Sequence, residues 1–110
     1  MNVALFDDFK RSFKRFAKKF NSLTAELEML IESLEANPAQ GISLGNGLYK
    51  IRLASESKGK GKSGGFRVIT YYVQENTKTV YLVDIYDKSE ESNIQKNELL
   101  KTVNRFFLNT

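Results

Sequence analysis

The run "GFRVITYYV", Gly65–Val73, restricts the fold more than any other segment, because its apolar residues fall on both faces of an extended strand. A strand of this kind has to be covered on both sides, so we expect it in the centre of a sheet. The run "LYKIRLA" precedes it and alternates, with apolar side chains on one side and Lys50 and Arg52 on the other. After the turn "QENTKT", the run "VYLVDIYDK" predicts a returning strand. Together the three runs predict a small antiparallel sheet over residues 48–88.

Helical periodicity in residues 1–38 predicts a hairpin of two helices before the sheet. Phenylalanines recur at steps of three and four residues and form one apolar stripe on the first helix. These residues are Phe6, Phe9, Phe13, Phe16 and Phe20. The second helix, near Ala25–Ala36, carries leucines on one side and glutamates towards the other, with Ser22 or Thr24 as its cap, and Asn37–Pro38 ends it.

Lysines and arginines fill the other side of the first helix, and two interpretations of them stay open. The residues are Lys10, Arg11, Lys14, Arg15, Lys18 and Lys19. One interpretation is a nucleic-acid face. The other, which we favour here, is a solvated face that the neighbouring acidic helix partly neutralises.

A last helix is expected over residues 92–108, where Ser92 and Gln95 fit a capping box and Leu99 and Val103 begin an apolar side. The fold class that follows is α+β, with an N-terminal helical hairpin packed on a small antiparallel sheet and a C-terminal helix. The length of 110 residues suits a single domain spanning residues 1–110.

Composition excludes several kinds of chemistry. The chain has no cysteine and no histidine, which removes disulfides, thiolate catalysis and the side chain most often used as a general base or metal ligand. The net charge of +4 favours anionic partners such as nucleic acid. The opening "MNVALFDDFK" lacks the apolar run of a signal peptide, and no segment has the length of a membrane span. We therefore expect a soluble cytoplasmic protein with no membrane partner.

Cations and tyrosines alternate through the sheet region. The cations are Lys50, Arg52, Lys58, Lys60, Lys62, Arg67 and Lys88. Antiparallel strands bring their ends together, so these side chains can line one patch beside tyrosines such as Tyr72 and Tyr86. Cationic side chains interleaved with aromatic rings suit RNA, because phosphates bind Lys and Arg while bases stack on rings.

The segments "YKIRLAS", "GKGKSGGFRVITYYV" and "VYLVDIYDKSE" resemble, in that order, toxins of the RelE/ParE superfamily from type II toxin–antitoxin modules. The resemblance is greatest to the HigB-like and RelE-like branch, in which a GKGK-type loop precedes the strand with the Arg-Val pair, and it covers nearly the whole chain. It implies a ribosome-dependent mRNA endoribonuclease that inhibits translation, with no cofactor and no metal in its site.

Carried over by motif, the resemblance implies catalytic roles for Lys50, Arg52, Arg67 and Lys88. An arginine stays protonated, so Arg67 is expected to stabilise the charge of the reacting phosphate. Which lysine serves as base and which as acid stays open, with Lys88 a candidate acid. The loop lysines Lys58, Lys60 and Lys62 are expected to bind RNA without taking part in the chemistry.

One departure from the family concerns the aromatic residue that RelE carries shortly after its last basic position. The comparable stretch here, "KSEESNIQ", has none, so Tyr72, Tyr86 or another ring is expected to contact the RNA, or the site works without one. The alternatives that stay open are a ParE-like gyrase inhibitor and a non-catalytic RNA-binding module.

The expected partners are the ribosome, mRNA and a cognate antitoxin. The resemblance implies that the antitoxin is encoded in an adjacent gene and is often DNA-binding. We expect it to bind over the cationic patch or against the helical hairpin.

Overall fold

The computed structural model describes residues 2–58, 65–73, 78–90 and 94–108. Within these residues the chain forms three helices and a five-stranded mixed sheet with the order β1-β5-β4-β3-β2. The elements in chain order are β1 (Asn2–Leu5), α1 (Asp7–Lys19), α2 (Leu23–Ala36), β2 (Ile42–Gly45), β3 (Leu48–Leu53), β4 (Phe66–Tyr71), β5 (Thr79–Asp87) and α3 (Lys96–Leu108). None of the described helices is long and apolar enough to cross a membrane.

The predicted α+β fold is confirmed, and β4 is the central strand. It pairs antiparallel with β3 on one side and with β5 on the other. Two apolar clusters cover its two faces. Residues of α1 and α2, among them Phe9 and Leu27, pack on one face, and Leu99 and Val103 of α3 pack on the other. We call these the hairpin face and the α3 face.

The strands predicted over residues 48–88 pair antiparallel as expected, but the sheet as a whole is mixed, because residues 2–5 form β1, which lies parallel to β5. These four residues had been included in the helical segment, and a strand so short shows almost no alternation to reveal it. Phe6, between β1 and α1, has an extended backbone, and the helix begins only at Asp7. The Phe6 side chain consequently lies in the α3-face cluster, stacked on Phe106 at 4.1 Å between ring centroids. It is therefore not part of the predicted phenylalanine stripe.

Two other local features were not predicted correctly. β2 and β3 form a β-hairpin that the sequence analysis did not include, and its turn, Gly45-Asn46-Gly47, has positive φ at all three residues. The capping box is wrong as well, because α3 begins at Lys96 and the carbonyl of Gln95, just outside the helix, accepts from the amides of Glu98 and Leu99. Ser92 lies outside the described residues.

Candidate functional site

Two arginines and a tyrosine form a row across the three middle strands. In the antiparallel register, Arg52 of β3 lies directly opposite Arg67 of β4, and Arg67 lies directly opposite Tyr86 of β5. Residues paired in this way project on the same face, with Cβ atoms about 5 Å apart. Tyr86 belongs to the cluster that α3 covers, so the row lies on the α3 face. We call these three residues the arginine row.

The two arginines of the row differ in exposure. Arg52 is exposed, whereas Arg67 is only 5% exposed and its Nη1 donates to the carbonyl oxygen of Phe66 at 3.2 Å. The two arginines thus place two positive charges on directly opposite residues of neighbouring strands. Solvent therefore has little access to Arg67, although Arg52 opposite it is exposed.

Lys50 extends the cationic side of β3 from Arg52. It lies two residues before Arg52, so it projects on the same face, and it is half-buried opposite Ile69. Among the described residues, no carboxylate oxygen lies within 4 Å of the charged groups of Lys50 or Arg52. The structure therefore brings Lys50, Arg52 and Arg67 together, as the strand pattern predicted.

Lys88 lies at the end of β5, next to the same row. Its amide donates to the carbonyl oxygen of Gly65 at 3.1 Å, which continues the pairing of β5 with β4 by one step beyond Phe66 and Asp87. Lys88 itself follows the last residue of β5, Asp87, and begins the turn after that strand. The fourth predicted catalytic residue thus lies at the end of the sheet where the two arginines lie opposite each other.

Lys58 lies on the other face of the sheet. Its ammonium group forms a salt bridge with Asp87, and both side chains are only 7% exposed. The ammonium also lies 5.2 Å from the ring centroid of Phe20 and 5.1 Å from that of Phe66, both of which belong to the hairpin face. The structure therefore separates Lys58 from the arginine row.

Asp87 is a residue that the sequence analysis missed. Burial alone would raise the pKa of its carboxyl group, but hydrogen bonds from Lys58 and Ser89, with the attraction of the Lys58 charge, hold that pKa below its usual value. The available signal was its position in "YDKS": an acidic residue on the core-facing side of an alternating strand requires a buried partner.

A network of hydroxyl groups holds the short 3₁₀ turn that ends at Lys58 against the start of α2. Ser22 and Ser57 bind each other reciprocally, since the Ser22 amide donates to Ser57 Oγ at 2.8 Å and the Ser57 amide donates to Ser22 Oγ at 3.0 Å. The amide of Glu56 donates to Glu26 Oε2 at 2.8 Å. Ser22 stands at the predicted cap position of α2, but its hydroxyl group binds this turn rather than its own helix.

Of the remaining residues predicted to bind RNA, one lies in the apolar core and two lie outside the described residues. Tyr72 is buried in the hairpin-face cluster, away from the arginine row. Lys60 and Lys62 lie outside the described residues. In the described ranges, no three acidic side chains converge in a way that could hold a metal ion.

The basic side of α1 does not pair with the acidic helix α2. Its two salt bridges to described residues join Arg11 to Asp8, on the same helix, and Arg15 to Glu90, in the turn after β5. The helix holds six of the chain's 17 cations and two of its 13 acidic residues, so the other eleven cations and eleven acidic residues balance. The net charge of +4 therefore resides in α1, and the favoured interpretation, neutralisation by α2, is not supported.

Comparison with known proteins identifies solved structures with the same fold and a matching family. The chain superimposes on E. coli toxin RelE, as a double Arg-to-Ala mutant in the free state, with a TM-score of 0.56, 16% identity and coverage of 94% of this chain and 95% of that one. The isolated E. coli RelE toxin gives a TM-score of 0.54 at 15% identity, covering 96% and 97%. At these identities the likeness shows the fold alone. The sequence model described as "RelE toxin of RelE / RelB toxin-antitoxin system" matches residues 8–106, so the chain belongs to the RelE toxin family.

Proposed function

We propose that this toxin is an endoribonuclease that cuts mRNA on the ribosome and so inhibits translation. The observation that carries the proposal is the pair of arginines, Arg52 and Arg67, directly opposite each other on neighbouring strands. Two cations on one face can bind the phosphate at the point of cleavage. Membership of the RelE toxin family agrees with this activity.

The chemistry requires no nucleophile from the protein. The 2′-hydroxyl group of RNA attacks the adjacent phosphorus, the P–O5′ bond breaks, and one proton leaves the nucleophile while another reaches the leaving oxygen. Arg67, held by the Phe66 carbonyl in a buried position, would stabilise the charge that develops on the phosphate oxygens. Its field acts most strongly there because solvent is largely excluded.

Two lysines at the site are available for the two proton transfers. We propose Lys50 and Lys88 as the base and acid, because they lie on the two sides of Arg67, on β3 and at the end of β5. Exposed Arg52 would make the first contact with the incoming phosphate. Tyr86 keeps a place in the site as the residue opposite Arg67.

Lys58 and Tyr72 do not enter the proposed RNA contacts, since both are buried in the hairpin face. Lys60 and Lys62, which lie outside the described residues, remain proposed phosphate contacts. The binding site for the ribosome is proposed to include α1, because the unbalanced positive charge of the chain is concentrated there. Its exposed lysines repeat every four residues, about 6 Å along the helix axis, which suits a series of phosphates.

The decisive experiment is to express the chain in bacteria and map the 5′ ends of cellular mRNA during growth arrest. We expect cuts within translated reading frames that disappear when initiation on the same message is blocked. Arrest accompanied by DNA breaks and intact mRNA would replace this proposal with a gyrase inhibitor. RNA binding with no arrest and no cuts would replace it with a non-catalytic RNA-binding module.

The RelE toxin family also implies a cognate antitoxin. We propose that the antitoxin is the product of an adjacent gene and covers the arginine row or the helical hairpin. Co-expression with that gene should restore growth and yield a complex that co-purifies. An adjacent product that neither binds nor restores growth would contradict the assignment of the partner.

A further inference from the structure

The carboxylate of Asp87 binds three donors that come from two separate segments. Its Oδ1 accepts from Lys58 Nζ, from the Ser89 amide at 2.9 Å and from the Ser89 hydroxyl group at 2.8 Å. One donor belongs to the 3₁₀ turn after β3, and the other two belong to the turn after β5. Asp87 therefore links the turn after β3 to the turn after β5, at the point where β4 begins with Phe66.

Lys88 lies between the two residues that this network fixes. Its amide is held by Gly65, and the carbonyl oxygen of Asp87 accepts from the Glu90 amide at 3.0 Å, which closes the turn. The backbone of Lys88 is thus bound on both sides, by Asp87 before it and by Ser89 after it. The direction in which its side chain leaves the strand depends on this turn.

Lys58 is itself firmly held. Its amide donates to the Ser55 carbonyl oxygen at 3.1 Å, and its ammonium group lies beside the rings of both Phe20 and Phe66. The turn that carries it is fixed to α2 through Ser22 and Ser57. A rigid cation thus orients the carboxylate, and the carboxylate orients the turn that carries Lys88.

Stability alone does not explain why this position holds a charge pair. Buried ion pairs can usually be replaced by apolar residues of similar volume with no loss of stability. What apolar residues cannot supply is an acceptor for the directional hydrogen bonds that the amide and hydroxyl group of Ser89 donate to the Asp87 carboxylate.

We propose that Asp87 and Lys58 are positioning residues of the proposed ribonuclease site, which hold the turn 87–90 so that Lys88 reaches the phosphate bound by Arg52 and Arg67. This inference rests on the proposed function. Asp87 does not touch the RNA, because its side chain lies on the hairpin face. Its effect on cleavage is transmitted through the backbone of Lys88.

The test compares Asp87→Asn with the double variant Lys58→Met/Asp87→Leu, which replaces the ion pair by apolar side chains. The matched control is Glu98→Gln/Lys101→Gln, which removes an exposed ion pair, 3.5 Å long, within α3. For each protein we would measure thermal unfolding, single-turnover and steady-state cleavage of mRNA on ribosomes, and hydrogen exchange at the amides of Lys88 and Ser89.

We expect Asp87→Asn to unfold at a lower temperature and the double variant to recover the wild-type unfolding temperature. Both should cut mRNA about 10²-fold more slowly, with KM close to the wild-type value, because a misplaced group lowers the rate of the chemical step. Exchange at Lys88 and Ser89 should be faster in both, and the control should match the wild type throughout.

Recovery of both stability and cleavage in the double variant would overturn the proposal, since the pair would then be purely structural. Unchanged exchange at Lys88 in Asp87→Asn would overturn it too. If the wild-type chain cuts no mRNA, the proposed function fails, while the exchange measurement still decides whether Asp87 and Lys58 fix the turn.

Discussion

Phe66 and Arg67 are adjacent in β4 and face opposite sides of the sheet, and the positive charges on the two sides have different surroundings. On the hairpin face, Phe66 packs beside the ammonium group of Lys58, which is buried and bound to Asp87. On the α3 face, Arg67 lies opposite a second cation, Arg52. One arrangement pairs opposite charges out of contact with solvent, and the other brings like charges together where one of them is exposed.

The difference indicates which cations serve the fold and which serve a ligand. A buried charge that lost its partner would destabilise the protein strongly, so Lys58 and Asp87 depend on each other. The arginine row places two cations on one face of the sheet, an arrangement suited to binding an anion. Substitutions that leave one charge of the hairpin-face pair unpaired should therefore lower stability, and they reach activity only through the turn that carries Lys88. Substitutions in the arginine row should change activity directly.

The largest effect is expected on the hairpin face. Lys58→Ala should lower the free energy of unfolding by about 3–5 kcal/mol, because it leaves the Asp87 carboxylate buried without its counter-ion. Urea unfolding would measure it, with exposed Lys78→Ala as the control that stays within about 0.5 kcal/mol of the wild type. A similar, small loss in both variants would mean that the pair does not stabilise the protein.

The next largest effect is expected in the arginine row. Arg67→Ala should reduce the rate of mRNA cleavage about 10²–10³-fold, the usual effect of removing one donor to a developing oxyanion. The control Arg105→Ala removes an exposed arginine of α3 and should cleave normally.

Because Arg67 is buried, Arg67→Lys provides a second test in case the alanine variant does not fold. It keeps the charge but loses the two-pronged geometry of the guanidinium group, so cleavage should still fall clearly below the wild-type rate. Wild-type cleavage by a folded variant of either kind would remove Arg67 from the proposed site.

The strands were predictable from sequence because their alternation is local. Lys50 and Arg52 had to share one side of β3, and the register then placed Arg52 opposite Arg67. The fate of Lys58 was not predictable in this way. It lies in a run of alternating glycines and lysines, where a solvated loop was the natural interpretation. Only the tertiary approach of Phe20, Phe66 and Asp87 buries its side chain.

The missed elements have a related cause. β1 has four residues, and it is a strand because β5 offers it a parallel partner, a contact that joins residues nearly eighty positions apart. Likewise Ser22 has the sequence position of a helix cap, yet its hydroxyl group binds Ser57 because the turn lies against it. Local patterns predicted elements of six residues or more, whereas tertiary pairing decided the shorter ones.

A third prediction extends the comparison to α1, whose cations have no partner on α2. The variant Lys10→Gln/Lys14→Gln/Lys18→Gln should bind ribosomes more weakly, and the slope of log affinity against log salt should fall by about 2–3. The matched control, Lys78→Gln/Lys101→Gln/Arg105→Gln, removes the same charge elsewhere on the surface and should keep the wild-type slope. Equal slopes in the two triple variants would mean that α1 does not contact the ribosome specifically and contributes only through the net charge of the chain.

The smallest effect concerns acid, and it separates the two faces once more. The pKa of Asp87 is lower in the folded protein than its usual 3.8, so its contribution to stability is complete above that pH and is lost as the pH falls through the folded value. The stability difference between wild type and Asp87→Asn should therefore be constant from pH 7 to about pH 5 and shrink below about pH 4. Urea unfolding at a series of pH values would measure it.

The control is Arg52→Gln, on the α3 face, which removes no group that titrates in acid. Its free energy of unfolding should decline at low pH as that of the wild type does. A difference that persisted unchanged to pH 2 would mean that Asp87 is not held as a carboxylate by Lys58.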